Sequence, residues 1–190
     1  CRGVLFRAPE EDAMPRLPVI DPATTTGRAK EIFDGPLKGK ELNIFKGMAN
    51  SGAVLDVYLG MAGALGKAGL SAKEREVIQL AVGQANDCGY CLAAHTKLGM
   101  GAGLTEDQCL GARRGSIPDD AKLDAVARFA LALHEKRGHV SDAEIEAFQA
   151  AGYGPGHVAE AVAAFALAVF TNYFNHVNDP EVGFPAAPAL

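Results

Sequence analysis

The chain has 190 residues, 48% hydrophobic and 22% charged, with a formal net charge of −5. That length suits a single domain whose core needs no disulfide staples. The acidic balance opposes nucleic-acid binding, which wants a basic face, and the scattered Lys and Arg form no polybasic membrane anchor.

The chain opens on Cys1, while Met14 begins the phrase MPRLPVIDP. Residues 1–13 are therefore expected to be a leader or extension, and 14–190 a single domain. Pro9, Pro15 and Pro18 with Glu10, Glu11 and Asp12 leave no apolar segment of the kind a secretory signal needs. Five prolines lie at or before Pro36 and none between 37 and 117, which favours long helices. Apolar residues recur with helical spacing at Val54, Val57, Tyr58, Met61 and Leu65, at Val126, Phe129, Ala130 and Leu133, and at Val158, Ala161, Val162, Phe165 and Val169. Ser71 with Glu74, Thr105 with Gln108 and Ser141 with Glu144 have capping-box spacing, and Gly69, Gly103, Gly138 and Gly152 mark helix ends. The pattern predicts an all-α domain with helices near 28–35, 41–49, 53–67, 72–85, 88–100, 106–114, 120–136, 142–151 and 156–176. The apolar stretch 161–170 is too short to span a bilayer. It predicts a helix that lies in the core or is covered by a second subunit. No membrane partner is expected, and the expected location is cytoplasmic.

A faint internal echo sets Glu76 and Cys88-x-x-Cys91 against Glu160 and Asn172-x-x-Asn175 at the same twelve-residue offset. Two related helical halves and coincidence both account for it.

The chemistry gathers in the phrase from Glu76 to His95. Cys88 and Cys91 are three residues apart, close enough at a helix start to form and break a disulfide. With Asn86 or Asp87 as N-cap, Cys88 falls in the first turn, where free amides favour a thiolate. His95 lies four residues after Cys91, on the same helical face, where an imidazole can take the thiol proton. Glu76, on the preceding helix, is placed to pack beside His95 and fix its tautomer. In a reducing compartment such a pair is more often reactive than a structural staple. Cys91, next to the histidine, is the favoured attacking thiol with Cys88 resolving; the opposite order stays open.

These residues resemble the AhpD-like alkylhydroperoxidases of the carboxymuconolactone decarboxylase family. The motif is Glu76, Ala81-Val82, Asn86-x-Cys88-x-Tyr90-Cys91 and His95, and the segment Phe170 to His176 resembles the carboxy-terminal signature of a peroxidase-related subgroup. The likeness spans residues 14–185. It implies an all-helical fold assembled as homo-trimers or hexamers. It also implies reduction of a peroxide through a disulfide, with electrons from a dithiol, lipoyl or thioredoxin-like donor; no bound cofactor is expected. One position departs: Tyr90 stands where the best-known peroxidase members carry a second histidine. Family members that decarboxylate lack the cysteines, which both stand here.

Other readings are weaker. Zinc would need four ligands, and the nearest further cysteine, Cys109, is eighteen residues on, so no metal is expected. Cys109 reads as a small core side chain. His134, His139 and His157 read as surface or helix-end residues, and His176 as a helix-terminus cation or part of a polar interface. Gly99-Met-Gly-Ala-Gly103 lacks the Lys-Ser/Thr of a phosphate loop and reads as a helix end. A disulfide reductase with little peroxidase activity and a non-enzymatic, redox-sensing assembly protein remain as alternatives to a peroxidase.

Overall fold

The computed structural model describes residues 14–190; Cys1 and the expected leader at 1–13 lie outside the described residues. Among these the chain forms nine helices and no strand. They are α1 (Gly27–Asp34), α2 (Asn43–Met48), α3 (Gly52–Leu65), α4 (Ala72–Ala85), α5 (Gly89–Gly101), α6 (Glu106–Arg114), α7 (Ala121–Glu135), α8 (Asp142–Ala150) and α9 (Pro155–Asn178).

The starts follow the local chemistry. Ser71 and Glu74 exchange side-chain and backbone hydrogen bonds at the head of α4, and Thr105 and Gln108 do the same at α6. At α8 the Glu144 carboxylate accepts the Ser141 N–H at 2.8 Å. Gly103, Gly138 and Gly152 take φ of +96°, +82° and +99° just past helix ends, where a Cβ would be strained. Gly69 does not serve this way. α3 stops at Leu65, and the Gly69 N–H donates to Glu160 of α9 at 2.9 Å, tying that loop to a distant helix.

α4 is the central helix: Val77, Ile78, Leu80, Ala81 and Val82 are all fully buried, and α5, α6, α7 and α9 pack around it. One apolar cluster fills the space between α4 and α6–α9. A second, built by α1, α2 and α3, takes in Cys88 just before α5 and Tyr90, Cys91 and Ala94 of α5. The thiol pair thus sits where the amino-terminal helices close over the start of α5.

Two predicted faces shift. On α3 the buried positions are Leu55 and Leu65, while Val57 is exposed. On α9 Val162 is exposed, and the buried line runs through Ala161, Ala164, Leu167, Ala168, Thr171, Asn172, Asn175 and Asn178. Small side chains let α9 lie close along α4, so small size outweighs hydrophobicity in choosing that face. α9 is also longer than expected, at 24 residues, and by length and apolar composition it could cross a bilayer. Here its asparagine face is buried against the protein, and its outer face leaves Val162, Tyr173 and Val177 exposed. The carboxy-terminal segment folds back over the domain. Asn43 donates to the Glu181 carbonyl at 3.0 Å, Arg113 donates to the Pro188 carbonyl at 2.5 Å, and Phe184 stands edge-on to Tyr90.

Candidate active site

The α4–α5 reversal is made by three residues. Asn86 closes α4, and Asp87 takes the left-handed conformation at φ +53°, which a short polar side chain tolerates. The Cys88 N–H then bonds back to the Gly83 carbonyl at 2.9 Å. Neither Asn86 nor Asp87 is the N-cap of α5. The Asn86 side chain is engaged with Asn172 of α9 at 2.9 Å, and Cys88 itself caps the helix, its sulfur accepting the Cys91 N–H at 3.3 Å. Cys88 is therefore one residue before the first turn and still receives a free amide of the helix start.

The two sulfurs lie 2.25 Å apart, at bonding distance, with Cα atoms 5.2 Å apart. Both residues are buried, Cys88 at 1% and Cys91 at 2% exposure. They differ in what they face. A cleft of about 70 Å³ is lined by Cys91 and His95, together with Tyr58, Gln79, Leu98 and Asn175 and the apolar side chains of Leu42, Ile44 and Phe45; Cys88 lies outside this lining.

The contact expected between Glu76 and His95 is formed: Nδ1 of His95 lies 2.7 Å from Oε2 of Glu76, with the two side chains 18% and 19% exposed. A carboxylate only accepts hydrogen bonds, so Nδ1 carries the proton of this contact and Nε2 is left to take or give another. Glu76 stands on α4, whose neighbouring residues are locked in the core, so the imidazole is held by a rigid element. The phenol of Tyr58 has its pKa pushed up, first by burial and then by the Glu76 charge, so it faces the cleft as a neutral hydroxyl.

Tyr90, in the place of the second histidine, is buried and accepts the Ile44 N–H at 3.4 Å. Burial also raises its pKa, against the opposing pull of the Ile44 amide, so the phenol is a neutral group anchoring α2 to α5. Sequence reasoning missed Asn175. Its side-chain amide lies 3.3 Å from the Cys91 sulfur and 3.9 Å from that of Cys88, reaching across from α9. The signals available were the twelve-residue echo, which set Asn175 opposite Cys91, and the spacing of Asn172, Asn175 and Asn178, a polar line on an otherwise apolar helix.

The remaining candidates do not line the cleft. Cys109 is buried on α6, and burial pushes its thiol pKa up, which suits a packing role. His157 accepts the Gly154 N–H at the head of α9, His134 lies beside the Phe165 ring, and His139 and His176 are exposed. Gly103 ends α5 as a turn residue. Among the described residues no group of three or more His, Cys, Asp and Glu side chains could hold a metal ion. A larger groove of about 470 Å³ between α7 and α8 has Asp124 paired with Arg128 and Glu144 paired with Lys136, and no nucleophile.

The sequence profile of the carboxymuconolactone decarboxylase family matches residues 52–136, the stretch holding Glu76, Cys88, Cys91 and His95. Residues 52–136 are thus similar to that family, and the fold is AhpD-like. No curated protein matches the chain. An uncharacterized peroxidase-related protein with an alkylhydroperoxidase AhpD core, from Ralstonia eutropha JMP134, superposes with a TM-score of 0.79 at 20% identity, over 90% of this chain and 94% of that one. An uncharacterized peroxidase-related protein from Silicibacter sp. TM1040 gives 0.77 at 21% identity, over 94% and 97%. A cysteine-to-alanine variant of the debrominase Bmp8, in complex with 2,3,4-tribromopyrrole, gives 0.68 at 15% identity, over 82% and 85%. At these identities the neighbours establish the fold. Asn175, whose amide lies 3.3 Å from the Cys91 sulfur, is beyond the matched stretch.

Proposed function

We propose that this AhpD-like protein is a thiol-dependent peroxidase acting through the Cys88–Cys91 pair. The observation that carries the reading is that Cys91 and His95 line one small cleft, with Glu76 holding the imidazole and Cys88 behind at bonding distance. In the reduced protein the Cys91 thiol gives its proton to Nε2 of His95. The thiolate attacks a hydroperoxide oxygen, an S–O bond forms as the O–O bond breaks, and the departing alkoxide takes the proton back from the imidazolium. This leaves an alcohol and a sulfenic acid on Cys91. The Cys88 thiol then attacks that sulfur, closing the disulfide and releasing water. Two electrons from a dithiol restore both thiols, and the donor leaves as a disulfide. In this scheme Cys91, Cys88 and His95 are catalytic residues, and Glu76 is a positioning residue.

The cleft's size and its apolar lining favour hydrogen peroxide or a small alkyl hydroperoxide. The burial of both sulfurs favours a slender donor, such as a lipoyl arm, over a flat protein surface. A reducing compartment, the cytoplasm, is the setting in which such a pair cycles. We also assign the exposed outer face of α9 to a contact with further copies of the chain. Light scattering at micromolar concentration should then give a trimer or hexamer, and a stable mass near 19.8 kDa would count against the assembly.

Stopped-flow measurement of thiol loss tests the chemistry. One equivalent of peroxide should consume two thiols per chain, with no crosslink between chains. Retention of all thiols would remove the peroxidase reading. Thiol loss with a disulfide substrate alone would favour a disulfide reductase.

A further inference from the structure

We infer that Asn175 is a positioning residue of the thiol site, its side-chain amide donating to the Cys91 sulfur and stabilising the thiolate formed when the disulfide is reduced. The inference rests on the reading of Cys88 and Cys91 as a cycling pair. It does not depend on peroxide being the oxidant.

Asn175 is 4% exposed on the buried face of α9. A buried amide costs free energy unless its hydrogen bonds are made. Among the described residues its Nδ2 is directed at the two sulfurs, and its Oδ1 has no partner. A disulfide sulfur is a weak acceptor, so the oxidised state alone gives little reason for a carboxamide at this place. Its neighbour differs: Oδ1 of Asn172 accepts from Asn86, which links α9 to the end of α4.

Reduction changes the balance. A dithiol delivers two electrons to the S–S bond and becomes a disulfide. Of its two protons, one stays on Cys88 and the other passes to His95 or solvent when Cys91 leaves as the thiolate. The Asn175 N–H···S contact then becomes charge-assisted, in a site with little water to compete. Geometry favours Cys91, since the amide is 3.3 Å from its sulfur and 3.9 Å from that of Cys88, which already accepts a backbone N–H at 3.3 Å. The other titratable groups around the pair are Tyr58 from α3, Glu76 from α4, and Tyr90 and His95 from α5. The buried face of α9 brings none, only Thr171, Asn172, Asn175 and Asn178.

The test follows thiolate absorbance near 240 nm against pH in the reduced full-length protein, in wild type and in Asn175→Leu, which keeps the volume and removes the donor. The Cys91 midpoint should rise by about one unit, and alkylation at neutral pH should slow by roughly tenfold. An unchanged midpoint in a folded Asn175→Leu protein would overturn the inference. Should that variant fail to fold, the wild type decides by NMR. The Asn175 side-chain amide protons should shift downfield on reduction and titrate with the Cys91 thiol; amide shifts insensitive to redox state and pH would overturn it equally. Both arms are read without peroxide, so failure of the peroxidase reading leaves their outcome interpretable.

Discussion

The starts of α4 and α5 are two solutions to one problem. Both helices open with amides that have no partner within the helix. At α4 the Ser71 hydroxyl and the Glu74 carboxylate satisfy them reciprocally, and Tyr153 adds a hydrogen bond to Glu74. At α5 the cap is the sulfur of Cys88. Oxygen is the better acceptor, so the first arrangement favours stability. The second gives up part of that stabilisation and places a sulfur in a helix-terminal field. Burial completes the contrast. Cys88 and Cys91 sit among apolar side chains, where each donor aimed at sulfur counts for more than it would in water.

The comparison can be broken most severely at Cys91. Cys91→Ser should abolish peroxide turnover, whereas Cys88→Ser should permit one oxidation and leave a sulfenic acid on Cys91 that dimedone traps. A sulfenic acid on Cys88 in the Cys91→Ser protein, with none on Cys91 in the reciprocal variant, would reverse the assigned order. Next in size is the imidazole. His95→Ala should slow peroxide reduction by roughly 10²-fold, the usual scale of general acid–base help. Glu76→Gln should fall between that and wild type, because it weakens the hold on the ring without touching the substrate. Unchanged kinetics in His95→Ala would leave the α5 terminus and Asn175 as the only activators of sulfur.

The stability side of the contrast predicts smaller effects. Ser71→Ala should cost about 1 kcal/mol in chemical denaturation, with thiol reactivity unchanged. Cys88→Ser, compared with the reduced wild type, should hold or gain up to about 1 kcal/mol, since a hydroxyl replaces a weak cap; a marked loss would mean that sulfur packing outweighs capping. The smallest effect concerns the head of α8. The Lys136 ammonium, with the Ser141 N–H and hydroxyl, lowers the Glu144 pKa from 4.5 to about 2. A carboxylate depressed on folding contributes stability that is complete above about 4.5 and lost as pH falls toward 2. Glu144→Gln should flatten that part of a plot of melting temperature against pH and leave the neutral region little altered. An unchanged acid limb would assign it to other carboxylates.

Residue pattern alone determined the helical class, the capping boxes at Ser71, Thr105 and Ser141, and the grouping of Glu76, Cys88, Cys91 and His95. Each rests on short-range rules: the helical period, the reach of a cap, and spacings of three and four residues. The contact of Glu76 with His95 was expected from the reversal between adjacent helices, but it is a tertiary approach that the folded structure supplied. Tertiary structure decided the rest. It made Cys88 the cap, because Asn86 was drawn to Asn172 on α9. It turned Ala164 and Ala168 inward in place of Val162, because close packing on α4 selects size as well as hydrophobicity. It brought Asn175 to Cys91 across 84 residues of sequence. No local period encodes that approach: the partner of a buried polar side chain is set by which helices cross, and the crossing is fixed by the packing of the whole core.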